Sequence, residues 1–196
     1  MNTPLQVLVF GGSFDPPTLA HEAIIRACLD LPGFDEVWAM PSGTRADKSI
    51  ATSDADRLAM LQTVHSTSFG GDPRLVVTDF ELRLPRPTET RVTLRELAVR
   101  YPTTGFWLVM GGDSYRNLPN WVGANEYMHD LRLVVVTEEE LSITDSDRMR
   151  QLHLPAPIQR VSSTEIRETV ARGGDVSAWI SPAVAEYIAR HRLYDR

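Results

Sequence analysis

The chain has 196 residues, 42% hydrophobic and 23% charged, a balance that supports a folded core within one domain spanning residues 1–196. A formal net charge of -6 excludes a protein that coats nucleic acid with a basic face, although a small basic pocket for phosphate groups stays compatible. The single cysteine, Cys28, excludes an internal disulfide and a cysteine-built metal site; MNTPLQ is no signal peptide and no apolar run approaches the roughly 20 residues of a membrane span, so a cytoplasmic protein is expected.

Leu5 to Phe10 is a short apolar run, as in a strand buried on both faces. The turn GGSFDPPTLAH follows, and then Ile24, Cys28 and Leu31 recur at helical spacing until Pro32 and Gly33. EVWAM (Glu36 to Met40) reads as a second strand and PSGTRADKSIAT as a loop. Ser53 and Asp56 resemble a capping box opening a helix with Leu58, Leu61 and Val64 on its apolar face. Arg74 to Leu82 reads as a third strand, LPRPTE as a loop, and Val92 to Tyr101 as a helix with Leu94 and Leu97 inward. Phe106 to Met110 is a fourth strand, followed at once by Gly111, Gly112 and Asp113, and Leu131 to Thr137 is a fifth. ITDSDRMRQ reads as a polar connection or short helix, and Ile158 to Val161 as a short last strand. Ser162 caps a further helix, Glu165 completes its capping box and Gly173 ends it. Ser181-Pro182 opens a final helix reaching about His191. Strands alternating with helices predict an α/β fold with a doubly wound, mostly parallel sheet and a small C-terminal helical portion. In such a sheet ligands bind beyond the carboxyl ends of the strands, and two of those ends carry double glycines.

Gly11 and Gly12 permit close backbone approach, and the helix start beyond them supplies N–H groups that suit phosphate. The glycines alone fit a tight strand-to-helix turn equally well, and Asp15 would repel a phosphate set directly against it. Thr18 and His21 lie three apart in the first helical turn, so both share one face and could reach one phosphate; His21 alone reads as readily as a capping or surface histidine. Ser162, Ser163 and Thr164 offer hydroxyls and N–H groups at a helix start, and Arg167 could lay its guanidinium on a phosphate. That segment alone reads equally as an ordinary cap with a solvated arginine.

Taken together, these segments resemble the nucleotidylyltransferase superfamily, with its early (H/T)xGH-type and late ISSTxIR-type motifs. Within it the chain looks like the nicotinate-nucleotide adenylyltransferase family over nearly its whole length. GGSFDPPTLAH matches the first motif, with Thr18 in the first polar slot and Ala20 where glycine is usual. PSGTRADK resembles the loop ending in a lysine, here Lys48, and DADRLAML the following helix with Arg57, which could instead simply pair with Asp54 or Asp56. Thr90, Thr93 and Leu94 fit a Tyr-Thr-x-x-Thr-Leu pattern; MGGDSYRNLPNW matches the Gly-x-Asp-Ser segment with its tryptophan, Trp121; VSSTEIRE matches the last motif. The resemblance implies a Rossmann-like fold and transfer of AMP from ATP to nicotinate mononucleotide, with Mg²⁺ accompanying ATP and no dedicated protein metal site. The implied catalytic residues are His21, Thr18 and Arg167. The implied ATP contacts add Gly11, Gly12, Ser13, Phe14, Gly111, Asp113, Ser162, Ser163 and Thr164, and Lys48, Thr90 and Trp121 are assigned to the mononucleotide. Self-association into a homo-oligomer is compatible with this reading; a membrane partner is not expected. Three departures lie toward the pyridine side: Glu89 where tyrosine is frequent, Asp47 where histidine often precedes the lysine, and VVVTEEE without the arginine that commonly follows that strand. Glu89 sits among Pro87, Thr88 and Arg91 in a polar loop and is expected to face solvent.

Overall fold

In the computed structural model, residues 4–43, 50, 52–137, 146–154 and 161–195 are described. Side chains alternate sides along the first strand: Leu8 and Phe10 are buried in one apolar layer, Val7 and Val9 in the other. Burial on both faces places this strand inside a parallel sheet covered by helices. The strands are β1 (Gln6–Gly12), β2 (Glu36–Pro41), β3 (Leu75–Val77), β4 (Gly105–Gly111), β5 (Leu133–Thr137) and β6 (Met149–His153). All six pair in parallel, in the order β3-β2-β1-β4-β5-β6. The order reverses between β1 and β4, the switch point at which an open α/β sheet binds its ligand.

The helices are α1 (Leu19–Leu29), α2 (Asp54–Ser68), α3 (Thr90–Arg100), α4 (Gly112–Asn117), α5 (Ala124–Tyr127), α6 (Ser163–Ala171) and α7 (Pro182–His191). Ile25 and Cys28 of α1 and Leu61 of α2 pack with Leu8, Phe10 and Val109 on one face of the sheet. Leu97 of α3 packs with Val7, Val9, Trp38 and Met40 on the other. The C-terminal helices seat on α2: Ile166, Val184 and Ile188 join Met60 and Val64 in a separate cluster. This arrangement brings the start of α6 beside the turn that leaves β1.

Two strands differ from expectation. The third is three residues long rather than running to Leu82. Thr78 still donates to the Ala39 carbonyl at 3.1 Å, but the next residue of β2 due to donate is Pro41, which has no N–H. The chain then folds into a 3₁₀ turn at Glu81–Arg83. The polar stretch ending in MRQ holds the last strand, β6, rather than a connection or short helix. Among the described residues β5 is the one strand β6 pairs with, and β6 is half-buried from Met149 to Leu152 and exposed at His153, so it lacks the apolar run that marks an interior strand. Of the last strand expected at Ile158 to Val161, residues 158–160 lie outside the described residues and Val161 is not in a strand.

Candidate active site

The cleft begins where two strands part. β1 pairs with β2 through Gly12↔Pro41, and β4 with β5 through Gly111↔Val136, but the β1–β4 ladder ends at Phe10↔Val109. Beyond that point a cleft of about 330 Å³ opens, lined by Gly11, Gly12, Ser13, Gly111, Ser114, Thr90 and Trp121 among others. A Cβ added at Gly11 or Gly111 meets nothing within 4 Å, so no protein contact requires glycine there. A side chain at either position would project into the open space of the cleft. Gly12 is glycine for a different reason: its Cβ would lie 3.2 Å from the Phe14 ring.

Phe14 is 1% exposed, with its backbone in the left-handed region (φ 47°). Its ring lies 4.9 Å from that of His21 and 5.6 Å from that of Phe10, centroid to centroid. His21 is also held by the helix cap. The Thr18 amide donates to His21 Nδ1 at 3.0 Å, and the His21 amide donates to the Thr18 hydroxyl at 3.3 Å. The two residues thus form a capping box in which the imidazole takes the place of the usual Glu or Gln. With Nδ1 accepting the Thr18 N–H, Nε2 is the ring nitrogen left to donate. Thr18 is 4% exposed and its hydroxyl lies 2.9 Å from Nδ1. The expectation was a hydroxyl sharing a phosphate with His21; the geometry turns that hydroxyl onto the ring itself.

The start of α6 docks on the same turn. Ser163 Oγ donates to the Pro16 carbonyl at 3.3 Å, and Arg167 Nη1 donates to the Asp15 carbonyl at 2.8 Å. Arg167 also donates to Thr164 Oγ1 at 3.2 Å, and its side chain is 28% exposed, so it is no solvated arginine. Ser162 is the cap: its side chain accepts the Glu165 amide while Glu165 accepts the Ser162 amide. Those bonds from the Ser162 hydroxyl and amide hold the Glu165 carboxyl below its usual range. Asp15 is buried, and its carboxylate accepts the Tyr194 hydroxyl at 2.8 Å and lies 3.7 Å from Arg167 Nη1. Burial first, and then the Asp15 charge, push the Tyr194 phenol well above its ordinary value.

On the other side of the cleft, Thr90 opens α3, and Trp121 both lines the cleft and packs in the cluster of Leu118 and Leu131. Lys48 and Asp47 lie outside the described residues, as does the Glu-rich segment after β5. Asp113 sits in the first turn of α4 with a largely exposed side chain that accepts from Arg116 at 2.6 Å. Glu89 is half-buried rather than fully solvent-facing; it accepts from Arg91 Nε at 3.2 Å and does not line the cleft.

Several lining residues were not assigned to the site from the sequence, chiefly Glu81, Thr88 and Ser42, and Thr93, which was read only as part of the Tyr-Thr-x-x-Thr-Leu pattern. Glu81 accepts the Gly43 amide and the Thr93 hydroxyl, each at 3.0 Å, one on each carboxylate oxygen. Thr93 was traceable, because it follows Thr90 by three residues on the same helix face. Glu81 was not, because the strand was expected to continue through it. Among the described residues no three His, Cys, Asp or Glu side chains converge as a metal site, and no helix is long and apolar enough to cross a membrane.

The sequence model of the Cytidylyltransferase-like family matches residues 9–169. A relative from Albidiferax ferrireducens, named "Probable nicotinate-nucleotide adenylyltransferase", is 36% identical, covering 95% of this chain and 96% of its own. A Bacteroides fragilis protein of the same name is 34% identical over 92% of this chain and 89% of its own. Among solved structures, the Plasmodium falciparum nicotinic acid mononucleotide adenylyltransferase complexed with NaAD superposes with a TM-score of 0.84 at 22% identity, covering 97% of each chain. That likeness is one of fold.

Proposed function

The chain belongs to the Cytidylyltransferase-like family, and from that premise we infer that it is an adenylyltransferase acting on ATP and nicotinate mononucleotide in NAD biosynthesis. The products are nicotinate adenine dinucleotide and pyrophosphate. The observation that carries this reading is the parting of β1 from β4 between two bare glycines, with His21 and Arg167 both anchored on the turn that leaves β1.

A 5'-phosphate oxygen of the mononucleotide attacks the α-phosphorus of ATP in line. The new P–O bond forms as the bond to the bridging oxygen breaks, and the electron pair leaves with pyrophosphate. The attacking phosphate is already an anion, so neither a covalent enzyme intermediate nor a strong base is required. Catalysis is positioning plus neutralisation of phosphate charge. His21 donates its Nε2 hydrogen to an α-phosphate oxygen, and Thr18 fixes that tautomer from behind. Arg167, the amides of Ser163 and Thr164 and the Thr164 hydroxyl hold the leaving phosphates, while the Ser163 hydroxyl on Pro16 and the Ser162 cap keep that helix start in place. Gly11, Gly12, Ser13 and Gly111 let the nucleotide approach the backbone, with Phe14 buttressing His21 and Asp113 at the rim. Lys48, Thr90 and Trp121 serve the mononucleotide. Magnesium enters as part of the MgATP substrate, coordinated by phosphate oxygens and water, as suits a small, strongly hydrated ion.

The test is to incubate the purified protein with MgATP and, separately, nicotinate mononucleotide, nicotinamide mononucleotide and phosphopantetheine, following pyrophosphate. Release matching dinucleotide formation one for one with nicotinate mononucleotide is expected. ATP binding without pyrophosphate release from any acceptor would instead make the chain a nucleotide-binding module.

A further inference from the structure

Arg57, on α2, is fully buried yet is not among the residues lining the cleft. Its guanidinium bridges the ends of two strands. Nη1 donates to the Ser13 carbonyl at 2.8 Å, and Nη2 donates to the Ser42 carbonyl at 2.9 Å and to Asp54 Oδ1 at 2.7 Å. Ser13 is the first residue past β1 and Ser42 the first past β2. The other oxygen of Asp54 accepts from Arg86, in the loop that leads to α3. One buried cation therefore ties together three loops on two sides of the cleft. Burial opposes ionisation of Asp54, but the hydrogen bonds from Arg57 and Arg86 outweigh it and hold the carboxyl below its usual range.

This arrangement is costly as a mere filler of the core. A guanidinium taken wholly out of water loses hydration that a partly exposed carboxylate such as Asp54 repays only in part, and Arg57 Nε is buried with no partner among the described residues. What a guanidinium offers is a planar, permanently charged fork that fixes two carbonyl oxygens relative to each other. The two carbonyls fixed here belong to the turn carrying the ATP-side residues and to the loop leading to the acceptor side. We propose that Arg57 is a positioning residue that sets the separation of these two loops, and with it the in-line approach of the acceptor phosphate to the α-phosphorus. This rests on the adenylyl-transfer reading above.

The experiment compares the parent with Arg57→Lys and Arg86→Ala, measuring kcat, the KM for each substrate, calorimetric ATP binding and Tm. Lysine keeps the charge beside Asp54 but replaces the fork with one nitrogen. Assays run well below each variant's Tm. For Arg57→Lys the expected result is a fall in kcat of at least tenfold, about 1.4 kcal/mol. Both KM values and the ATP affinity are expected to stay within about threefold, because each half of the site keeps its own contacts. Arg86→Ala, at an exposed position, removes the bond that steadies Asp54 against Arg57 and is expected to lower kcat about threefold or more with the same KM pattern; if Arg57→Lys does not fold, an Arg86→Ala enzyme with parental kcat overturns the proposal. A lower Tm with kcat within about twofold of the parent would reduce Arg57 to a structural role and overturn the proposal, as would a tenfold rise in one KM at unchanged kcat. A parent that releases no pyrophosphate would strike at the adenylyl-transfer reading instead. In that case the unchanged ATP affinity of Arg57→Lys no longer bears on spacing, and the proposal falls with it.

Discussion

The phenol of Tyr194 donates to the carboxylate of Asp15 at 2.8 Å across 179 residues of sequence. Asp15 in turn presents its carbonyl to Arg167, so the C-terminal segment, the turn after β1 and the last motif meet at one residue. Tyr194→Phe is expected to destabilise the fold by about 1.5–3 kcal/mol, the worth of a buried hydrogen bond to a charged group. The same change should raise the KM for ATP several-fold as the Arg167 anchor loosens. Chemical denaturation and steady-state kinetics check the two effects; a stability loss with an unchanged KM would detach the tyrosine from the site. The sign of its pH dependence is set by the raised phenol. Its contribution is present below the ordinary tyrosine range and is lost only as pH rises through and beyond it.

His21→Ala is expected to keep the fold and to lower kcat about 10²–10³-fold, ~2.7–4 kcal/mol, as for loss of one donor to a transition-state oxyanion. Circular dichroism and pyrophosphate release check both halves. Thr18→Val separates the two halves of the capping box. It should cost about 1 kcal/mol of stability through the lost cap and part of the kcat, because Nδ1 keeps the backbone donor but loses the hydroxyl. A Thr18→Val enzyme with parental kcat would confine Thr18 to capping.

Arg167→Ala is expected to raise the KM for ATP more than that for the acceptor, because Arg167 is anchored at Asp15 on the turn proposed above to hold ATP. Initial-rate kinetics with each substrate varied in turn measure the split. An equal rise in both, or a rise for the acceptor alone, contradicts the placement of the last motif on the ATP phosphates.

Cys28 packs against the sheet with 1% exposure, and burial pushes its thiol from 9.0 up to about 12. The folded state therefore holds a proton that the unfolded state releases sooner. Stability from this group is complete below about pH 9 and declines as pH rises toward 12. Cys28→Ala should flatten the alkaline limb of a Tm-versus-pH curve, although the truncation itself lowers the whole curve. At neutral pH the native thiol is expected to react with a thiol reagent only as fast as the protein opens.

The parts legible in the sequence were local ones. Glycines at the ends of apolar runs, the cap at Ser162 with Glu165 three residues on, and Pro182 at the start of the last helix each rest on interactions within one turn. Thr18 and His21 were legible as a pair but not as a reciprocal cap, because histidine is an unusual partner in that role. Edge strands were legible only in part: β3 was read as a strand but not its end, which comes where Pro41 of its neighbour can no longer donate, and β6, MRQLH, has no continuous apolar run to advertise it. Nor were the long-range anchors. Arg57 reaches a carbonyl 44 residues away, and Tyr194 a carboxylate 179 away; neither partner has a spacing that a sequence pattern could reveal.

The acceptor remains the most exacting part of the account. Glu89 turns to Arg91 rather than into the cleft, each oxygen of Glu81 accepts a bond from Gly43 or Thr93, and Thr90 lines the cleft, where we propose that its hydroxyl donates to the pyridine substituent. A carboxylate satisfies such donors, whereas the NH₂ of an amide faces them with a donor of its own, at a cost of a few kcal/mol. The most direct measurement is kcat/KM for nicotinate and nicotinamide mononucleotides side by side, with saturating MgATP and dinucleotide product quantified. A preference for nicotinate mononucleotide of tenfold or more, at least ~1.4 kcal/mol, is predicted; a tenfold preference for the amide, or no turnover of either, would contradict the account.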